Sequence, residues 1–181
     1  VTGCWDNRDI TELGIATAIG INKTEKGDIE FTVQLVKPDV IKAKAQGSEE
    51  TSHWTFSATG QTVFSAVRNL LTTVNRKVYF SHIALMVIGE DVAREGLLEV
   101  LDLFERDTET NRNALLVIAR GVEVKKILTA ESELENVPSL HITAILENNK
   151  SLAKIVKINL IDALKCMNCP GYSPAIGVIQ Q

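Results

Sequence analysis

Four groups of residues in this chain have types and spacings that can do chemistry. The first is Val1-Thr2-Gly3-Cys4. A hydrophobic residue, a small residue and a glycine ahead of a cysteine match the end of a lipoprotein signal peptide. That peptide is cut before the cysteine, whose thiol then carries a lipid. The second is Cys166-Met167-Asn168-Cys169, with the CxxC spacing of thiol-redox and zinc sites. A redox pair sits at a helix N-terminus, where the dipole lowers the thiol pKa. This pair falls at the end of an expected helix, where the dipole acts in the opposite sense. A structural zinc site takes four ligands, and the chain offers no second CxxC and no HxxxH. A half-buried helix end is the simpler reading of Cys166 and Cys169.

The third group is His53, His82 and His141, each isolated in sequence. Triads assemble in space, so spacing does not exclude one. The chain has no GxSxG elbow and no HExxH, however, and a hydrogen-bonded histidine at a strand start is the expected role of His82. The fourth is Asp102, Glu105, Asp107 and Glu109, which lack the spacing of a calcium loop and read as the solvated face and end of a helix. Asn22-Lys23-Thr24 and Asn149-Lys150-Ser151 match the glycosylation tripeptide, a common one. No glycine-rich phosphate loop is present. The sequence thus predicts no catalytic residues, no metal and no cofactor.

Composition narrows the classes further. The chain has 181 residues, 45% hydrophobic and 23% charged, with a net charge of -4. A nucleic-acid binder needs a basic surface to neutralise phosphates, so nucleic acid is not an expected partner. The apolar run Ile83–Ile88 is far too short to span a bilayer. Membrane association would have to come from a lipid or a partner. Three cysteines do not make a disulfide framework.

The elements that must position these residues follow from periodicity. Ile15, Thr17, Ile19 and Ile21 alternate with Ala16, Ala18 and Gly20; after a turn over 22–28, Ile29, Phe31, Val33 and Leu35 alternate with Glu30, Thr32 and Gln34. Period two on both sides of a Gly/Asp turn predicts a hairpin with one buried face, ended by Pro38. Residues 41–50 read as a polar loop. A third strand, Ser52–Ala58, puts Trp54 and Phe56 on one face. A helix starting at Thr59 or Gly60 carries Val63, Phe64, Val67, Leu70, Leu71 and Val74 at helical spacing. Ile83–Ile88 is expected as a central strand covered on both faces.

A helix over Arg94–Glu105, with the stripe Leu97, Leu98, Leu101 and Phe104, leads to a second buried strand at Ala114–Ala119. A short helix at Val122–Leu128 follows. The stretch 131–136 is acidic and linker-like. Helices from Pro138 to about Glu147 and from Leu160 to Met167 come next, and the tail enters a strand near Ala175.

The fold class is α/β: a mixed sheet with an N-terminal antiparallel hairpin, helices packed on the sheet, then a smaller, mostly helical segment. The expected organisation is a tether over 1–12, an α/β domain over 13–125 and a smaller helical unit over 126–181. The start without methionine is expected of a trimmed N-terminus. The tail lacks a natural terminator, as expected where a C-terminal domain follows.

Three segments carry a family resemblance. Gly3-Cys4-Trp5-Asp6, then Arg8-Asp9-Ile10 and the strand Ile15–Asn22, resembles the start of the mature C subunits of spore germinant receptors, the Ger(x)C lipoprotein family. That family begins G-C-W-D/N, with an R-[DE]-[IL] step and a strand ending in G-[IV]-[DN]. Ala58–Arg68 is similar to its A-x-G-x-T-[IV]-x-x-A-x-R helix start, and Tyr79-Phe80-Ser81-His82-Ile83 to its Y-x-[SG]-H step into the central strand. The resemblance spans residues 3 to about 120.

It implies a lipoprotein on the outer face of the spore inner membrane, working with the integral-membrane A and B subunits that answer nutrient germinants. It implies no enzymatic activity and no cofactor. It gives a chemical role only to Cys4, as the diacylglyceryl attachment point, and leaves His82 structural. The leading expectation is a non-catalytic scaffold or signal-relay subunit, soluble when its lipid is missing. The alternatives are a lipoprotein that binds the germinant itself and a thiol-redox protein using Cys166 and Cys169.

Overall fold

The structure is a computed structural model and describes residues 13–37, 52–130, 135–148 and 155–180. The expected tether over 1–12 and the polar loop over 41–50 therefore lie outside the described residues. So do Asn149-Lys150-Ser151 and most of the acidic linker.

Strands β1 (Leu13–Lys23) and β2 (Ile29–Val36) pair antiparallel, with Ile21 opposite Phe31 and Ile19 opposite Val33. The turn between them is closed by Thr24 N–H donating to Asp28 O at 2.8 Å and Gly27 N–H to Thr24 O at 2.9 Å. The alternation expected along β1 does not run through. The register shifts between Ala16, opposite Leu35, and Ala18, opposite Gln34, which leaves Thr17 as an extra residue. Such a bulge exchanges the faces on either side of it. Ala16, not Ile15 or Thr17, therefore joins Ile19 and Ile21 in the core.

β2 also pairs antiparallel with β3 (His53–Gly60), whose Trp54 and Phe56 pack on the same core as expected. The chain then turns into α1 (Val63–Thr73). Thr62 caps this helix, its hydroxyl accepting from the Ser65 N–H while Ser65 Oγ accepts from the Thr62 N–H. Gly60 permits the tight join. A Cβ there would lie 2.5 Å from the Ala66 nitrogen and 2.4 Å from Ser65 Oγ. The helix thus begins three to four residues later than the sequence indicates. Val63, Ala66 and Leu70 are its buried stripe, while Phe64 and Leu71 are exposed.

The three-residue β4 (Lys77–Tyr79), too short to show a period, pairs parallel with the first part of β1. β5 (Leu85–Gly89) pairs parallel with the later part, Ala18 opposite Leu85 through Ile21 opposite Ile88. β6 (Leu115–Arg120) and β7 (Gly177–Gln180) extend the sheet in parallel. The strand order is β3-β2-β1-β5-β6-β7, with β4 beside β1. One half of the sheet is antiparallel and the other parallel, which is the mixed α/β class expected.

Between β5 and β6 the single expected helix is two, α2 (Glu90–Glu95) and α3 (Leu97–Arg106). Gly96, at φ 139°, breaks them apart. Leu97, Leu101 and Phe104 of the expected stripe pack on the core, joined by Val100, while Leu98 is exposed. After β6 come α4 (Val124–Thr129), α5 (Pro138–Asn148) and α6 (Leu160–Asn168).

Two cores sandwich the sheet. On one face Met86, Ile88, Leu116 and Ile118 meet α1, α2, α3 and α6, and Phe31 stacks on Phe104 at 6.3 Å between ring centres. On the other, Leu85, Val87, Val117 and Ala119 meet α4 and α5. β5 is fully buried on both sides, as its unbroken apolar run predicts. Each such side chain contributes about 1.5–3 kcal/mol on burial.

The described helices and strand beyond 125 belong to these same layers. Leu160, Ala163 and Leu164 share the core of β1 and β2, Leu116 N–H donates to Ile158 O at 2.9 Å, and β7 is hydrogen-bonded to β6.

The second layer of helices also buries the hairpin face expected to be solvated. Thr32 and Gln34 are inaccessible. Gln34 Nε2 donates to Leu128 O at 2.6 Å, and its Oε1 accepts from Thr17 Oγ1 at 3.2 Å and from the Ser139 hydroxyl. Thr32 and Ser57 hydroxyls bond at 2.9 Å. Buried polar atoms that keep their hydrogen bonds are tolerated in such a core.

Candidate functional site

The parallel half of the sheet ends in a cleft of about 510 Å³. Three strand ends build it. β1 supplies Asn22 and Lys23, β5 supplies Gly89 followed by Glu90 and Asp91, and β6 supplies Ala119 followed by Gly121, Val122, Glu123 and Lys126. The Asn22 amide lies across the Gly89 backbone, where a Cβ would come within 2.3 Å of Asn22 Oδ1. Glycine at 89 therefore lets the β1 and β5 ends close on each other beneath the cleft.

Ion pairs fix most of its charges. Glu90 Oε1 accepts from Arg94 Nη2 at 2.6 Å and lies 3.4 Å from Arg120 Nε, tying α2 to the end of β6. Lys23 Nζ reaches Glu95 Oε2 at 2.6 Å, tying the end of β1 to α2. Lys126 Nζ is 3.5 Å from Glu123 Oε2, and both are mostly exposed. Asp91 has no ion-pair partner among the described residues. A second hollow of about 390 Å³ adjoins the first and shares Lys23 and Asp91 with it.

A different, apolar hollow of about 330 Å³ lies between α1 and α3, lined by Phe64, Val67, Phe80, Leu103 and Phe104 with Arg106 and Asp107 at its rim. The Arg68 guanidinium sits 5.7 Å from the centre of the exposed Phe64 ring.

The chemistry-bearing residues picked from sequence are not brought together. Cys4 lies outside the described residues. Cys166 is half-buried on α6 and Cys169 exposed at its C-cap, both as free thiols. His53 is on β3 and His141 on α5, while His82 is exposed in the turn before β5 rather than held at a strand start. Among the described residues no three His, Cys, Asp or Glu side chains are placed to hold a metal. Asp102 pairs with Arg106, and Asp107 accepts from Thr110 Oγ1 at 2.6 Å, so this acidic group caps and decorates α3 as expected.

Sequence reasoning missed the cleft. Its signals were Gly89-Glu90-Asp91 and Gly121, glycines that end β5 and directly follow β6. Nothing in the periodicity says that these ends are neighbours. Of the segments with family resemblance, Ala58–Arg68 is the capped strand-to-helix join, Tyr79–Ile83 runs from the end of β4 through the turn into β5, and Gly20-Ile21-Asn22 is the β1 end that reaches the cleft.

This architecture is a mixed α/β domain with a polar cleft at its parallel strand ends. The chain belongs to the family described as "Spore germination protein N-terminal domain", which it matches over residues 6–181. Among curated proteins it is similar to Spore germination protein KC of Bacillus subtilis (strain 168), 32% identical over 179 residues, 96% of this chain and 44% of that protein. It is also similar to Spore germination proteins A3 (29% over 153 residues, 83% of this chain and 40% of A3) and B3 (32% over 124 residues, 66% and 31%) of the same organism. The chain spans less than half the length of these curated relatives. No solved structure matches it significantly. Among the described residues no helix is long and apolar enough to cross a membrane.

Proposed function

We propose that this chain is the N-terminal part of a non-catalytic lipoprotein subunit of a nutrient germinant receptor, acting as a scaffold or signal relay in spore germination. The observation that carries the reading is the family match over residues 6–181, supported by the 32% identity to Spore germination protein KC. In this reading Cys4 bears a diacylglyceryl group and holds the protein on the outer face of the spore inner membrane, beside the integral-membrane A and B subunits. One acyl chain binds a membrane marginally, whereas two anchor it. Eight residues separate Cys4 from β1, a leash of on the order of 30 Å at full extension. The sheet would then lie within reach of integral partners.

The anchor is tested in the full-length protein. Cys4→Ala should move it from the membrane fraction of spores to the soluble fraction and slow nutrient-triggered germination. Unchanged fractionation would sink the anchor.

A further inference from the structure

The receptor reading leaves Cys166 and Cys169 without a role. The fold relates them directly. Cys166 lies in the last turn of α6, and Cys169 is the residue that caps its C-terminus. The Cys169 N–H donates to the Cys166 carbonyl at 3.3 Å. A four-residue turn closed in this way keeps its first and last Cα atoms within about 7 Å. A disulfide spans about 4.4–6.8 Å between Cα atoms. The backbone thus already holds the two residues near bonding separation, and closure asks chiefly for side-chain rotation.

Exposure gives the two thiols different parts. Both are free, Cys169 exposed and Cys166 half-buried. A reagent from solvent meets Cys169 first, and Cys166 stands one turn behind it. Among the described residues no third His, Cys, Asp or Glu side chain is placed with them to hold a metal. The chemistry left to the pair is thiol–disulfide exchange.

We propose that Cys166 and Cys169 form a reversible disulfide site whose reaction partner is a small-molecule disulfide of the glutathione type. The Cys169 thiolate attacks one sulfur of that disulfide. The small molecule's S–S bond breaks, one small thiol leaves, and a mixed disulfide remains on Cys169. The Cys166 thiolate then attacks the Cys169 sulfur, and the second small thiol leaves. The two cysteines give up two electrons and two protons, which reduce the small disulfide to two thiols. Reduction runs the same steps backwards. The inference goes beyond the receptor reading and does not rest on it.

Closure would act where the chain leaves the core. Leu160, Ala163 and Leu164 of α6 are buried, whereas residues 168–173 are exposed. The Tyr172 N–H donates to the Cys169 carbonyl at 3.2 Å, and the chain goes on to β7, an edge of the sheet. The disulfide therefore stiffens the exposed turn between α6 and that edge strand.

The test uses the 181-residue chain carrying Cys4→Ala, so that this pair supplies its only thiols. The chain is equilibrated with reduced and oxidised glutathione in varied ratio, quenched with acid and read by intact mass. Excess oxidised glutathione should leave a monomer lighter by two hydrogens, with no thiol to alkylate. Excess reduced glutathione should restore both thiols. Cys166→Ser should stop at a mixed disulfide with glutathione, an adduct at least about tenfold scarcer in the parent because its resolution there is intramolecular. Cys169→Ser, left with the half-buried thiol, should form its adduct more slowly than Cys166→Ser does. Closure should also slow hydrogen exchange at the Tyr172 amide. The inference is overturned if the parent keeps both thiols, accumulates the adduct as Cys166→Ser does, or closes only between chains. The reverse order of adduct rates would overturn the assigned roles, and Tyr172 exchange indifferent to oxidation would overturn the stiffening.

Discussion

The Gln34 side chain is fully buried and uses both ends of its amide. Its nitrogen holds the carbonyl of Leu128 at the end of α4, and its oxygen takes the Ser139 hydroxyl at the start of α5 and the Thr17 hydroxyl at the β1 bulge. One residue thus fastens the second helical layer to the sheet. Gln34→Leu would strand two buried polar groups, Leu128 O and the Ser139 hydroxyl, each costing about 1–3 kcal/mol when left unpaired, and leave the Thr17 hydroxyl only the backbone oxygen of residue 34 at 3.5 Å. The expected loss is on the order of 3 kcal/mol in urea unfolding, with an unchanged slope. A loss under about 0.5 kcal/mol would contradict this role.

Period two correctly put Thr32 and Gln34 opposite Phe31 and Val33. It could not say that helices cover that face as well, because a polar side chain satisfied inside looks the same in sequence as one facing water. Thr17 misled the β1 reading for a related reason. A bulge adds one residue to one strand and leaves no mark in composition.

At the scale of elements, apolar runs were reliable guides. The buried β5 and β6 and the helices α4, α5 and α6 lie where the sequence places them. Three boundaries were not legible, and each turns on glycine or on length. Gly96 splits one apparent helix, β4 is only three residues, and β3 runs on to Gly60 before the helix is capped at Thr62.

The Gly60 join is the sharpest of these. Gly→Ala at a compatible site stabilises a protein by about 0.4–1 kcal/mol. Here the new methyl would meet the backbone of the first turn of α1, which cannot retreat without opening the β3–α1 contact. Gly60→Ala should therefore destabilise by on the order of 1–3 kcal/mol and speed hydrogen exchange along α1. A neutral or stabilised variant would show that the join has room.

At the scale of the whole molecule, strand order was the hidden quantity. Periodicity identifies an element and its buried face, but not which element lies beside it. The return of β5 to the side of β1, and the departure of β5 and β6 connections to opposite faces, create the cleft. Neither is written in any one segment. The family, in contrast, was legible in three short segments, two of which turn out to be structural joins.

The anchored-subunit account requires this domain to stand against membrane proteins of the receptor. Photo-crosslinkers placed in the full-length protein at Phe64 on α1, Leu98 on α3 and Tyr172 in the loop before β7, three exposed positions, sample its surface in intact spores. The account predicts that at least one position yields adducts with an integral-membrane subunit of a germinant receptor, and that Cys4→Ala abolishes them. Adducts with soluble proteins alone, or membrane adducts indifferent to Cys4, would contradict it.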